Sequence, residues 1–160
     1  MIYRALLGDD FARLPAALRT LHGAPGKRCA EGVMSIRREN ALLAWVVGFP
    51  RAGGKVPVRL EVEGTESEET WTRWFGGLRR SSTQRVKGGL IMERAGPVRI
   101  AFQVRVCDGG MQFESLRTQV FGVPVPLRIA ASVRGGETSW EVEVTFAHIG
   151  SYRGVMTLTS

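Results

Sequence analysis

The fold is decided by the stretch Val98-Arg99-Ile100-Ala101-Phe102-Gln103-Val104-Arg105-Val106. Its even-numbered residues are all apolar, and its odd-numbered residues are mostly polar or basic. Because successive side chains of a strand point to opposite faces of a sheet, this alternation predicts a strand with one face on a core and the other in water. Residues 56–63 and 139–146 repeat the pattern. We therefore expect most residues after Val56 to form antiparallel strands.

Glycine-rich turns separate the strand-like segments, as expected for antiparallel strands joined by hairpins. The strongest hairpin signal is Asp108-Gly109. Residues 27–37 are predicted to form a first, irregular strand, in which Gly32 indicates a bulge or a close approach of another backbone. The last strand is predicted to end at Thr159.

Two short helices are predicted before the main run of strands. A stripe of apolar residues at three- and four-residue spacing predicts a helix that starts at Pro15 and ends at His22. The stripe consists of Leu7, Phe11, Leu14, Leu18 and Leu21. Asn40 can cap a second helix over residues 41–47. This second helix is almost wholly apolar, so we expect it to be buried.

Together these patterns predict a single α+β domain over residues 1–160. Its sheet should be antiparallel and strongly curved, or a half-open β-barrel, of about eight strands with two N-terminal helices packed on it. A sheet of this curvature encloses an apolar cavity.

Composition narrows the class of protein. The 160 residues, 44% of them hydrophobic, are enough to bury one core. No apolar stretch approaches the roughly 18 residues of a membrane-spanning helix, and Asp9 and Asp10 interrupt any secretory segment, so we expect a cytoplasmic protein. Cys29 and Cys107 are far apart with no histidine cluster nearby. This spacing indicates no metal site and no disulfide, and predicts two reduced, mostly buried thiols.

The net charge of +7 raises the question of nucleic-acid binding. Nineteen of the 22 basic residues are arginines, and most stand singly on the polar faces of predicted strands. The one dense basic stretch, residues 79–87, has no aromatic residues on which bases could stack. The charge therefore indicates solvated strand faces rather than a nucleic-acid interface.

Residues 78–86 break the alternating pattern, because both predicted faces of this strand are polar or basic. One interpretation is an exposed edge strand whose charges discourage pairing with another sheet. The other is an interior strand whose polar side chains form one wall of a ligand cavity, where each would need a hydrogen-bond partner.

The preceding strand places Trp71, Arg73 and Phe75 on one face. An arginine between two aromatic rings can stack on one of them and present its planar group to a carboxylate or phosphate. Glu93, near the end of the next predicted strand but one, is a candidate partner. The sequence leaves two interpretations open: a structural ion pair between Arg73 and Glu93, or a ligand contact.

Several short motifs, in this order and spacing, resemble the bacterial family called domain of unknown function 4166. They are Tyr3-Arg4-Ala5-Leu6-Leu7-Gly8, Leu18, His22-Gly23, Gly48-Phe49-Pro50, Trp71-x-Arg73-x-Phe75-Gly76 with Ser82 and Gln84, and Glu93-x-x-Gly96-Pro97. The resemblance implies Trp71, Arg73, Phe75, Ser82, Gln84 and Glu93 as candidate ligand-binding residues. It implies no activity, although similar domains also follow NAD-binding oxidoreductase-like domains.

Catalysis has little support from the residues, and no catalytic residue, metal ligand or cofactor is assigned. His22 is expected to act at a helix end and His148 to lie in a turn, with no nucleophile or carboxylate at a paired spacing. We expect a binding or accessory module for a hydrophobic small molecule that can carry an acid group. The alternatives are a partner or scaffold domain for an NAD-dependent oxidoreductase, and a barrel isomerase or cyclase that uses Glu93 or Glu114.

Overall fold

The structure is a computed structural model that describes residues 1–107 and 109–159, so Asp108 of the predicted hairpin lies outside the described residues. The helical elements are α1 (Ile2–Leu7), a 3-10 helix (Gly8–Arg13), α2 (Ala16–His22) and α3 (Ala41–Val46). The strands within these residues are β1 (Gly26–Arg38), β2 (Gly53–Gly64), β3 (Glu69–Phe75), β4 (Leu78–Lys87), β5 (Leu90–Ala95), β6 (Val98–Cys107), β7 (Gly110–Val120), β8 (Val123–Val125), β9 (Ile129–Gly135), β10 (Ser139–Phe146) and β11 (Gly150–Thr159).

Ten of these strands form a closed antiparallel barrel. Their order is β1-β2-β3-β4-β5-β6-β7-β9-β10-β11, and β11 pairs with β1 to close the ring. The short β8 pairs with β7 outside the ring. The α+β class and the antiparallel sheet are confirmed, whereas the barrel has more than eight strands and no open seam. The alternating pattern of apolar and polar residues could not reveal that the sheet closes into a barrel. Closure depends on the pairing of β1 with β11, two strands from opposite ends of the chain.

Gly32 permits that closure, because β1 must pair with strands on both of its sides. A Cβ atom at Gly32 would lie 2.0 Å from the carbonyl oxygen of Val155 on β11, a distance that no side chain tolerates. The expected close backbone approach is therefore present. The irregularity of register against β2 lies a little further along, between Met34 and Ile36.

The N-terminal helices fill one end of the barrel, which we call the plugged end. Ile2 and Tyr3 of α1 and Leu18 and Leu21 of α2 are almost completely buried. The amide of Ala17 donates to the carbonyl of Gly136 in the turn between β9 and β10, at 3.1 Å. Hydrophobic burial against the strand ends therefore fixes helices that would be too short to form alone.

The opposite end, which we call the open end, carries α3 and the turns at residues 76–77, 96–97, 121–122 and 147–149. Asn40 caps α3 as predicted, with its Oδ1 accepting from the Leu43 amide at 3.0 Å. The expectation that this helix is buried is wrong: Leu42 is 70% and Trp45 77% exposed, and only Ala44 is buried. The burial falls instead on Phe49, in the segment that follows the helix.

The hydrophobic core contains the apolar residues that the alternating pattern predicted to face inward. The two cysteine thiols, in contrast, are less buried than expected. Phe102, Trp140 and Val144 are buried, and Val104 and Val142 pack against them from partly buried positions. Cys29 and Cys107 are free but only half-buried. Cys29 precedes the inward-facing Ala30, and Cys107 follows the inward-facing Val106. Because successive side chains of a strand point to opposite faces, both thiols point toward the outer face of the barrel.

Candidate functional site

The barrel interior contains a cavity of about 660 Å³. This is within the range of roughly 300–1,000 Å³ that is usual for small-molecule sites. Tyr3, Leu18 and His22 of the plug line its closed end, and Trp45 and Pro97 line its mouth at the open end. The cavity therefore opens beside α3.

All six candidate residues from the sequence line this one cavity. Trp71, Arg73 and Phe75 come from β3, Ser82 and Gln84 from β4, and Glu93 from β5. Strand register brings them together, since Trp71 pairs with Ser82 and Gln84 pairs with Glu93.

The strand β4 is interior to the barrel, so the interpretation of residues 78–86 as an exposed edge is wrong. It pairs with β3 on one side and β5 on the other. Its inward residues Ser82 and Gln84 are buried, whereas Arg79 and Ser81 are exposed. Its polar character has a physical reason, because each inward side chain finds a hydrogen-bond partner within the cavity wall.

Arg73 is held by three neighbours. Its guanidinium lies over the ring of Trp71, 4.7 Å from the ring centre, and its Nη1 donates to Ser82 Oγ at 3.1 Å. The same nitrogen lies 4.0 Å from Glu93 Oε1. The ion pair considered from the sequence is thus present but loose, and it leaves most of the guanidinium donors free of Glu93.

A chain of hydrogen bonds joins the plug to the same wall. The Tyr3 hydroxyl donates to Gln84 Oε1 at 2.7 Å, and Gln84 Nε2 donates to Glu93 Oε2 at 3.0 Å. Burial raises the pKa of Tyr3 well above its ordinary value, and the negative charges of Glu69 and Glu93 raise it further. The phenol therefore remains a neutral donor at physiological pH.

His22 and Glu69 form a buried pair that the sequence did not predict. Nδ1 of His22 lies 2.9 Å from Glu69 Oε2, and the indole nitrogen of Trp71 donates to the same oxygen at 3.3 Å. The imidazole ring packs between Tyr3 and Trp71, with ring centres 4.0 and 5.5 Å away. His22 does end α2, as expected from the sequence, and its contact with Glu69 in addition ties α2 to β3.

No local pattern could have revealed this pair, because 47 residues separate its members. One oxygen of the carboxylate, Oε1 of Glu69, is buried without a hydrogen-bond partner among the described residues. All the polar contacts of this buried side chain therefore fall on Oε2, so the loss of His22 or of the Trp71 indole would be costly.

The remaining titratable candidates lie outside the cavity. Glu114 is exposed on the outer face of β7, because Phe113 takes the inward position. Of the two glutamates considered for a barrel isomerase, only Glu93 faces the interior. His148 is exposed in the turn before β11 and has a positive φ of 64°.

Two kinds of feature are absent from residues 1–107 and 109–159. No three side chains of histidine, cysteine, aspartate or glutamate come together in a way that could hold a metal ion. No helix in this part of the chain is long and apolar enough to span a membrane.

The structure thus defines a closed antiparallel β-barrel with a helical plug and an interior cavity that has a polar wall. Residues 14–155 match the family described as a domain of unknown function (DUF4166), and the chain belongs to that family. The resemblance noted in the sequence is confirmed. No curated protein and no solved structure matches the chain.

Proposed function

We propose that this domain binds a hydrophobic small molecule inside the barrel, with an acidic head group held at Arg73. The observation that carries the proposal is the cavity itself, which is walled on one side by polar residues and on the other by apolar ones. Ligand sites typically combine a large apolar lining with a few polar groups that fix the orientation of the ligand.

The two sides of the cavity come from different strands. The polar side is formed by inward residues of β3, β4 and β5, centred on Arg73, Ser82 and Glu93. The apolar side is formed by β6, β7 and β9 to β11, and it includes Phe102, Phe113, Val133, Trp140 and Val144. An elongated apolar molecule could lie against the second side while its head group contacts the first.

The charges near Arg73 favour an acidic head group but limit its affinity. A guanidinium can bind a carboxylate through two parallel hydrogen bonds, and Arg73 uses only Nη1 toward Ser82 and Glu93. The Glu93 carboxylate repels a second anion at the same position. Removing that charge should therefore strengthen the binding of an acid. The alternatives of an oxidoreductase partner and a barrel isomerase find no comparable support.

The test compares a long-chain fatty acid with the alcohol of the same length in thermal unfolding, below the concentration at which either forms micelles. At a hundredfold excess over Kd, a bound ligand should raise Tm by about 5 to 10 °C for a chain of this size. Arg73→Met should abolish the stabilisation by the acid, and Glu93→Gln should increase it.

Arg59→Met is the matched control. Arg59 also stacks on an indole, that of Trp74, at 5.5 Å, but it points outward from β2. This variant should leave the ligand-induced shift unchanged. A shift that is the same in wild type and Arg73→Met would contradict a head-group role for Arg73. Absence of any shift, together with native mass spectra free of bound lipid after purification from the host, would contradict the binding function.

A further inference from the structure

The open end of the barrel displays apolar side chains that a folded domain would normally bury. The α3 residues Leu42, Leu43, Trp45 and Val46 are between 37% and 77% exposed. Phe121, in the turn after β7 at the same end, is 79% exposed. Four large apolar side chains exposed on one short helix are more than scattered single residues, and such clusters mark interaction sites.

The same end carries a concentration of positive charge. Its segments, residues 37–54, 76–80, 94–99, 119–128 and 146–150, contain eight arginines and a single carboxylate, Glu39. The plugged end mixes both signs, with Asp9, Asp10 and five glutamates in residues 61–69. The basic excess of the chain is therefore directed along the barrel axis toward the mouth of the cavity.

Two of these arginines hold α3 in place rather than face solvent. Arg38 donates from Nε to the Pro50 carbonyl at 2.8 Å and from Nη2 to the Phe49 carbonyl at 2.7 Å. Arg80 donates from Nε to the Gly48 carbonyl at 2.6 Å. The segment after α3 is thereby clamped to the barrel, so the helix presents its apolar side chains from a fixed position.

We propose that the open end docks on the surface of an anionic lipid bilayer, with α3 inserted at the level of the head groups. The inference rests on α3 and on the charge distribution, and it does not depend on what the cavity binds. The six arginines of this end that are not part of the clamp, Arg37, Arg51, Arg79, Arg94, Arg99 and Arg128, are all exposed and available to lipid phosphates.

A bilayer explains the combination of groups better than an acidic protein does. Exposed tryptophan and aliphatic side chains that share one end of a domain with several arginines are typical of segments that lie in the membrane interface. Each basic residue near an anionic surface adds to the attraction. Docking in this orientation would also place the mouth of the cavity against the lipid, so an apolar ligand could enter without crossing water.

The experiment measures sedimentation of the full chain with vesicles of phosphatidylcholine alone or mixed with phosphatidylglycerol. Wild-type protein should bind the anionic vesicles and should bind the neutral ones weakly. The double variant Leu42→Ser with Trp45→Ser and the double variant Arg51→Gln with Arg79→Gln should each lose about tenfold or more in affinity. All four residues are exposed, so the fold should be retained.

Two control variants remove the same kinds of groups elsewhere. Val33→Thr with Val155→Thr alters an exposed apolar pair on the outer wall, and Lys87→Gln with Arg134→Gln removes two charges from the plugged end. Both should bind vesicles like wild type. Failure of the wild type to bind, or equal losses in the test and control variants, would overturn the proposal; failure to bind would point instead to an acidic protein surface.

A spectroscopic readout tests whether the bilayer contacts Trp45 of α3. Brominated acyl chains should quench the tryptophan fluorescence of the wild type, and Trp45→Phe should remove most of this quenching while the protein still binds. If the quenching is unchanged in Trp45→Phe, the lipid contacts another indole such as Trp71 in the cavity. That result would support the proposed ligand site and contradict insertion of α3.

Discussion

At the scale of single residues, Arg73 shows how strand parity and register together build a site. Period two turns Trp71, Arg73 and Phe75 toward one face, which could be inferred from the sequence. Register then decides what they meet, since β3 pairs with β4 and β4 with β5. The result places Ser82 within hydrogen-bond distance of Arg73 and Glu93 within 4.0 Å.

The coupling between Arg73 and Glu93 can be measured with a double-mutant cycle. Arg73→Met and Glu93→Gln should each lower the free energy of unfolding by about 1 to 2 kcal/mol, because each leaves a partly buried group without its partner. The double variant should recover about 0.5 to 1 kcal/mol of the summed loss. Urea unfolding with a common m value provides the measurement.

The pair Arg59 and Glu61 is the control for this cycle. Its closest atoms are 2.6 Å apart, nearer than those of Arg73 and Glu93, but Arg59 is exposed on the outer wall. Because solvent screens exposed charges, the coupling free energy between Arg59 and Glu61 should be smaller than that between Arg73 and Glu93, in spite of the shorter distance. A larger coupling free energy in the outer pair, or no coupling between Arg73 and Glu93, would contradict this prediction. It would show that Ser82 and solvent stabilise the Arg73 guanidinium instead of Glu93.

The part of the site that could not be predicted consists of its long-range contacts. Period two grouped Trp71, Arg73 and Phe75, and the resemblance to the family added Ser82, Gln84 and Glu93. Tyr3, His22 and Glu69 join the site only because the plug returns to the end of the barrel at which β3 begins. Such contacts depend on closure of the whole sheet, and no spacing along the chain encodes them.

At the scale of elements, the strands were predictable and the environment of α3 was not. A strand with one buried face must alternate, so its pattern reports both its conformation and its inward side. The sequence of a short helix that is apolar on every side predicts that its side chains contact an apolar partner, but it does not indicate which partner. In α3 nothing within residues 1–107 and 109–159 covers Leu42 and Trp45, which are largely exposed.

The plug should open as a unit when its contact with β3 is removed. His22→Ala removes the closer of the two hydrogen-bond partners of Glu69 and leaves the Trp71 indole, and separation of α2 from the barrel lets water reach the under-partnered carboxyl group. Hydrogen exchange should therefore accelerate in residues 2–22 while β10 and β11 keep their protection.

Arg13→Ala provides the comparison for this experiment, since it breaks only the exposed pair of Arg13 with Asp10 at 2.9 Å. Exchange in the plug should be unaffected by that change. If His22→Ala accelerates exchange uniformly across the barrel strands, the plug and the barrel unfold together, and the separate opening is contradicted.

At the scale of the whole molecule, the barrel has an axis with two unlike ends. The plug closes one end and supplies Tyr3 and His22 to the cavity, while the other end carries apolar α3 among arginines. The polar wall lies along β3 to β5 between them. Closure of the sheet makes this division possible, because a closed barrel has no free edges and communicates with its surroundings only through its ends.

The stability of the whole domain should fall at alkaline pH, because both tyrosines of the chain are held in the barrel. Burial raises the pKa of Tyr3 and of Tyr152 above the ordinary value of 10.0. The accessible part of Tyr152 faces the cavity, where its ring packs on Phe49 and Phe75. As the pH rises, the tyrosines of the unfolded chain lose their hydroxyl protons before those of the folded protein. The contribution of the two tyrosines to the free energy of unfolding is therefore complete below pH 10, and it is lost as the pH approaches their pKa values in the folded protein.

The urea midpoint should therefore be nearly constant from about pH 7 to 9 and then decrease, with each tyrosine contributing up to about 1.4 kcal/mol per pH unit. Tyr152→Phe should make the decrease of the urea midpoint with pH less steep, and it should lower the free energy of unfolding only slightly at neutral pH. Tyr3→Phe should reduce the slope as well but cost about 1 to 3 kcal/mol at neutral pH, because Gln84 loses its donor. Tyrosinate absorbance should rise only as the protein unfolds; its appearance near pH 10 in folded protein would contradict the raised pKa of the two phenols.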